Sequence, residues 1–185
     1  IDGNFKSASG AGVAMAEDSI LDGFTVTGVG RYDEAAWKKH HATLGEEQSH
    51  EHIGAAGTAG IAVVGITRCM VRDNIVHHVG YTGIAITGAA GKRVSPHVLR
   101  NVSFRNMGGG IGSMKKSTAI IEGNLCFENF YAGIGHNDAS PLVIGNTCRN
   151  NVRAGIGISE GSSPVVRGNT CYANRRAGIG IRTGE

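Results

Sequence analysis

Gly145-Asn146-Thr147-Cys148-Arg149-Asn150-Asn151-Val152-Arg153-Ala154-Gly155-Ile156-Gly157-Ile158 returns, 23 residues on, as Gly168-Asn169-Thr170-Cys171-Tyr172-Ala173-Asn174-Arg175-Arg176-Ala177-Gly178-Ile179-Gly180-Ile181. Going back along the chain, the same asparagine recurs as Asn124, Asn101 and Asn74, each ten residues before an isoleucine (Ile134, Ile111, Ile84). A fixed internal period of 22–23 residues marks a solenoid, in which each unit buries its apolar face only by stacking on its copies. Three residues before each asparagine stands an apolar residue (Val71, Val98, Ile121, Val143, Val166), and two after it come Val76, Ser103, Cys126, Cys148 and Cys171. This alternation predicts short strands separated by polar corners, and no segment of the repeats has helical spacing.

Three strands per turn, each stacked on its copy about 4.8 Å away, make an all-β chain: a right-handed parallel β-helix of about seven coils. The asparagines fit corners because Asn tolerates left-handed backbone and stacks amide on amide in register. A second ladder, Asn106, Asn129, Asn151 and Asn174, predicts a second corner. Asp22 is expected to take the corner role in an early coil.

The pattern Gly-Asn-x-Cys-x-x-Asn-x-x-x-Gly-Ile-x-Ile, followed by Ser140-Pro141-Leu142-Val143 and Ser163-Pro164-Val165-Val166, resembles the β-helix repeats of the pectin-lyase-like superfamily. The resemblance covers roughly residues 60–185 and, more faintly, 1–30. It implies the fold. Its functions range over polysaccharide lyases, hydrolases, epimerases, tailspikes and adhesins, so it implies a carbohydrate-associated chain, secreted or at the cell surface or periplasm, without choosing a reaction.

Composition agrees with a solenoid. There are 30 glycines, one tryptophan and 5% aromatic residues, so Ile, Val, Ala and Cys must fill the interior. No apolar run is long enough to span a bilayer. The chain begins and ends inside repeat-like sequence and reads as a piece of a longer protein, with open end rungs that invite end-to-end self-association. Cys126, Cys148 and Cys171 share one inward ladder and read as buried free thiols.

Residues 30–58 interrupt the period and are expected to protrude as an insertion. Asp33 can cap a helix running toward Gly45, Tyr32 and Trp37 hold the positions of a hydrophobic staple, and Trp37, His41 and Leu44 share a face. Four of the eight histidines lie here, and His50 and His52, flanked by carboxylates, are the metal candidates, for Ca²⁺ or Zn²⁺.

Two outward rows are expected to bind a partner. One is His77, Phe104, Phe127, Arg149 and Tyr172; the other is Tyr81, Gly108, Tyr131, Arg153 and Arg176. Rings and guanidinium groups in register suit sugar rings and their carboxylates or sulfates, so the candidate ligand residues are Phe127, Arg149, Tyr172, Tyr81, Tyr131, Arg153 and Arg176. Charge points the same way: residues 1–92 carry 7 basic and 10 acidic side chains, residues 93–185 carry 11 and 5. An anionic polysaccharide fits; nucleic acid does not, because no recognised binding motif accompanies the basic patch.

For catalysis the sequence offers His136, which replaces isoleucine in an inward ladder beside Ser113, then Asp138 after it, and His77. No paired carboxylates at hydrolase spacing stand out. Three functions follow: a polysaccharide-binding module, a lyase or hydrolase using the insertion, and a structural or adhesive segment.

Overall fold

The computed structural model describes residues 1–4, 10–42 and 54–182. They form three parallel sheets around one column. The first stacks seven strands: β1 (Ala11–Ala14), β4 (Ala59–Val64), β7 (Thr82–Thr87), β10 (Ile111–Met114), β13 (Ile134–Asn137), β16 (Ala154–Ile158) and β19 (Ala177–Ile181). The second stacks six: β2 (Ile20–Asp22), β5 (Met70–Arg72), β8 (His97–Leu99), β11 (Ile120–Glu122), β14 (Leu142–Ile144) and β17 (Val165–Arg167). The third also stacks six: β3 (Thr25–Thr27), β6 (Ile75–His77), β9 (Val102–Phe104), β12 (Leu125–Phe127), β15 (Thr147–Arg149) and β18 (Thr170–Tyr172). The sequence period is thus the register of the sheets: Ile111, Ile134, Ile156 and Ile179 pair in succession, as do Cys126, Cys148 and Cys171.

Alternation decides which side chains go inside. Val71, Val76, Val98, Ile84, Ile111, Ile121, Ile134, Val143 and Ile156 are fully buried, with Cys126 and Cys148 among them as free thiols. The column is narrow, so the chain must close up at its corners, and here the asparagines act. The Nδ2 of Asn124 donates to Oδ1 of Asn146 (2.9 Å) and to the Val98 carbonyl (2.9 Å), while its Oδ1 accepts from the backbone N–H and side chain of Asn101 (2.8 and 3.0 Å). Asn106, Asn129, Asn151 and Asn174 repeat the arrangement at the second corner. Each buried amide therefore satisfies corner groups that no strand partner reaches, which would otherwise cost about 1–3 kcal/mol apiece.

The backbone reason for the asparagines differs from the sequence expectation. The left-handed residue is the one before each asparagine: Asp73, Arg100, Gly123, Gly145 and Gly168 at the first corner, Arg105, Glu128, Asn150 and Ala173 at the second, where His78 does the same before Val79. The ladder asparagines are kept for their amides. Asp22 is not at a ladder position either, since it pairs with Arg72 by register and by a 2.7 Å ion pair; Phe24 takes that place and gives its N–H to Asn74 Oδ1 (2.9 Å).

The connection from β3 to β4 carries the helix, α1 (Glu34–Ala42). Asp33 caps it, accepting from the Ala36 N–H through Oδ1 (2.9 Å). Trp37, 4% exposed, packs with Met107 and Phe130, with Tyr32 beside them as the staple predicts, and its Nε1–H donates to the Glu128 carbonyl (2.8 Å). Arg105 lies over the indole at 4.3 Å and bonds Glu34 and Glu128 (3.2 and 2.9 Å). The insertion is therefore clasped onto the second corner. Leu44, His50 and His52 lie outside the described residues. No described helix is long and apolar enough to cross a membrane.

Candidate functional site

The first sheet faces outward through a row of small residues. Inward Ile111, Ile134 and Ile156 alternate with outward Gly112, Gly135, Gly157 and, one rung on, Gly180. Two kinds of glycine share these strands. A Cβ on Gly110, Gly133 or Gly155 would meet the next rung's carbonyl and an asparagine amide at 2.6–2.8 Å, so packing requires those glycines. A Cβ on Gly135, Gly157 or Gly180 would meet nothing closer than 3.6 Å, and none of them has positive φ. Neither packing nor backbone requires glycine there, and glycine inside a strand costs about 0.5–1 kcal/mol relative to alanine. Open strand glycines of this kind leave the backbone accessible, which is one of the uses to which glycine in a strand is put.

The glycines floor a groove of about 680 Å³. One wall is Tyr81, Gly108, Tyr131, Arg153 and Arg176, the residues that follow the second corner; the other carries Met114, Asn137, Ser159 and Arg182. Arg153 is only 6% exposed, with its guanidinium 4.4 Å from the Tyr131 ring centre. Burial pulls its pKa below the usual arginine value, and the charges of Arg176 and Arg182 push the same way against the Tyr131 phenol. Burial likewise raises the pKa of Tyr81, helped by Tyr131, so the Tyr81 phenol stays a protonated hydrogen-bond donor at neutral pH. Glu160 pairs with Arg182 (3.6 Å), and no Asp or Glu stands among the described lining residues. One end of the groove is therefore strongly positive and the other aromatic and neutral.

Residues 49–185 match a family model for the right-handed beta helix region. The chain belongs to the right-handed β-helix family. No curated protein and no solved structure matches it.

This β-helix divides the seven candidate ligand residues between two places. Tyr81, Tyr131, Arg153 and Arg176 line the groove. Phe127, Arg149 and Tyr172 stand on the third sheet, across the corner that α1 covers. There the rings are spent on one another: His77 stacks on Phe104 at 4.9 Å, Phe104 on Phe127 at 4.7 Å and 5°, and Arg149 lies 4.4 Å over Phe127. Ring faces turned along the axis toward the next rung present only their edges to solvent, and a sugar needs a face. Tyr172, 51% exposed, ends the row.

The catalytic candidates are not brought together. His136 points inward at 2% exposure in the column between Ser113 and Ile158, and neither ring nitrogen has a hydrogen-bond partner among the described residues. Burial lowers its pKa to about 4, so it is neutral. Asp138 turns outward at a left-handed position and pairs with Lys116. His77 shares a short Nδ1 contact with His78 (2.7 Å) and bonds Thr27 (3.2 Å). No described group of three or more His, Cys, Asp or Glu is placed to hold a metal ion.

The glycine floor is what the sequence reading missed. Its signal was present as Gly112, Gly135, Gly157 and Gly180 recurring in register, but the same strands hold packing glycines two residues earlier, and only neighbouring rungs tell them apart.

Proposed function

We propose that this β-helix binds an anionic polysaccharide along the groove of its first sheet. The observation that carries the reading is the gathering of Arg153, Arg176 and Arg182 around glycines that leave the sheet surface open. Successive rungs about 4.8 Å apart repeat on the scale of a sugar residue, so an extended chain meets equivalent positions as it runs along the axis. Carboxylates or sulfates meet the guanidinium end, and ring faces meet Tyr81 and Tyr131. Such a partner places the protein outside the cytoplasm, secreted or on the cell surface or periplasm.

A second reading, a lyase, draws on one feature. Burial and the neighbouring guanidinium groups of Arg176 and Arg182 lower the pKa of Arg153, which makes it the groove arginine whose proton is held least tightly beside a uronate carboxylate. A hydrolase has less support, because the described lining supplies no carboxylate pair.

Incubation with a panel of acidic and neutral polysaccharides, read together by retention and by ultraviolet absorbance of unsaturated products, separates these readings. Retention of acidic chains without product, weakened at least tenfold in Arg176→Ala and by raised salt, is expected. Product that disappears in Arg153→Lys moves the reading to the lyase. Equal retention of neutral and acidic chains, or none, sinks the proposal.

A further inference from the structure

Imidazoles crowd the seam where α1 meets the solenoid. His41 stacks on Trp37 (4.6 Å, 19°), the indole that Arg105 also covers. His40, 2% exposed, meets the edge of Phe130 at 5.0 Å. On the solenoid side, His78 packs edge-on against Tyr32 at 4.6 Å and shares its Nδ1 contact with His77, so one ring must donate and the other accept. That pairing exists only while at least one of the two rings is neutral.

The charges around the seam do not welcome further protons. From the solenoid, Arg105 and Arg175 face it, with Glu128 as the acid; α1 adds Glu34, Lys38 and Lys39, and Glu34 is already engaged by Tyr32 (2.8 Å), Lys38 (3.3 Å) and Arg105 (3.2 Å). A proton on His41 would be desolvated and repelled by Arg175 and Arg105, against the weaker pull of Glu128; one on His78 would be desolvated and face His77 and Arg105, against Glu34.

We propose that α1 is an acid-released strap: with His40 packed against Phe130, the neutral rings of His41, His77 and His78 at the seam keep it on the second corner, and protonation of those three lets it go while the β-helix stays folded. Desolvation lowers the pKa of His41, His77 and His78, which gives the sign. The released strap takes up protons more readily than the docked one, so docking is complete above the ordinary histidine range near 6.5 and weakens as pH falls below it. The Asn ladders contain none of these groups, and the one histidine of the apolar column, His136, stays neutral in the folded β-helix across that window because burial lowers its pKa to about 4. Strap and groove share a corner, because Met107 and Phe130 beneath Trp37 directly precede Gly108 and Tyr131 of the groove wall.

Trp37 is the chain's single tryptophan, so its fluorescence reports on the seam alone. Acrylamide quenching, emission maximum and far-ultraviolet circular dichroism are followed from pH 7.5 to 5.0 without any ligand, so the result is independent of the groove reading. The expected result is a rise in the quenching constant of at least twofold with a red shift and an unchanged β signal, and a midpoint about one pH unit lower in His41→Gln/His78→Gln. Hydrogen exchange of the wild-type amides at 34–42, corrected for intrinsic rate, is expected to lose protection over the same range while the strands keep theirs, whether or not the variant docks. A Trp37 that stays shielded at pH 5.0, a β signal lost together with it, or an unshifted midpoint in a docked variant overturns the proposal.

Discussion

At the scale of single residues, this solenoid uses one side chain type for one geometric duty and tolerates few exceptions. The ladder asparagines accept from one rung while donating two N–H bonds, as Asn124 does to Val98 and Asn146, whereas the carboxylate of Asp only accepts and the hydroxyl of Ser has a single proton to give. His136 and Ser113 are exceptions inside the apolar column, where Ile86 and Ile158 occupy equivalent positions of the sheet, but Ser113 has a partner in Ser117. The His136 imidazole has no hydrogen-bond partner among the described residues, and burial holds it neutral down to a pKa of about 4. Since the unfolded chain takes up this proton near pH 6.5, stability is complete above 6.5 and drains away as pH falls toward 4, by about 3 kcal/mol from this group at 1.36 kcal/mol per unit. Replacing it as His136→Ile is expected to raise stability at pH 5 more than at pH 7.5. Urea unfolding at both values checks this, and an equal gain at the two would show that the ring does not titrate as inferred.

Elements differ in what they demand of glycine. Gly133, just before β13, and Gly155 in β16 are each pressed against the next rung, while Gly135 and Gly157, two residues further on, face the groove. Gly133→Ala should cost about 1–3 kcal/mol by overpacking, since its Cβ would stand 2.8 Å from both the Asn151 amide and the Gly155 carbonyl. Gly157→Ala should instead be neutral or stabilising by roughly 0.4–1 kcal/mol, through the unfolded chain, while retention of acidic polysaccharide falls. Denaturation midpoints and retention measured on the same two variants test both halves. Loss of stability in Gly157→Ala would remove the reason to see the floor as kept open for a ligand.

Across the whole molecule, stacking leaves edges. In the last rung Ile179 and Ile181 are 52% and 74% exposed, although Ile156 and Ile134 in the row of Ile179 are fully buried and Ile158, beside Ile181, is half-buried.

The repeat itself determined the three sheets, their order, the inward column and both ladders, because in a solenoid the residue one period away is the residue one rung away. Even Asp33 as the helix cap and Trp37 as the buried anchor were legible, since capping and stapling act within a few residues of sequence. Tertiary structure alone decided the rest. It moved the left-handed residue to the position before each asparagine, turned Phe104 and Phe127 onto one another instead of toward solvent, and separated glycines that pack from glycines that leave room. It also laid α1 and its histidines on the corner between the two outward rows. Each of these depends on what occupies the few ångströms beside a residue, and in this fold that neighbour lies more than twenty residues away along the chain.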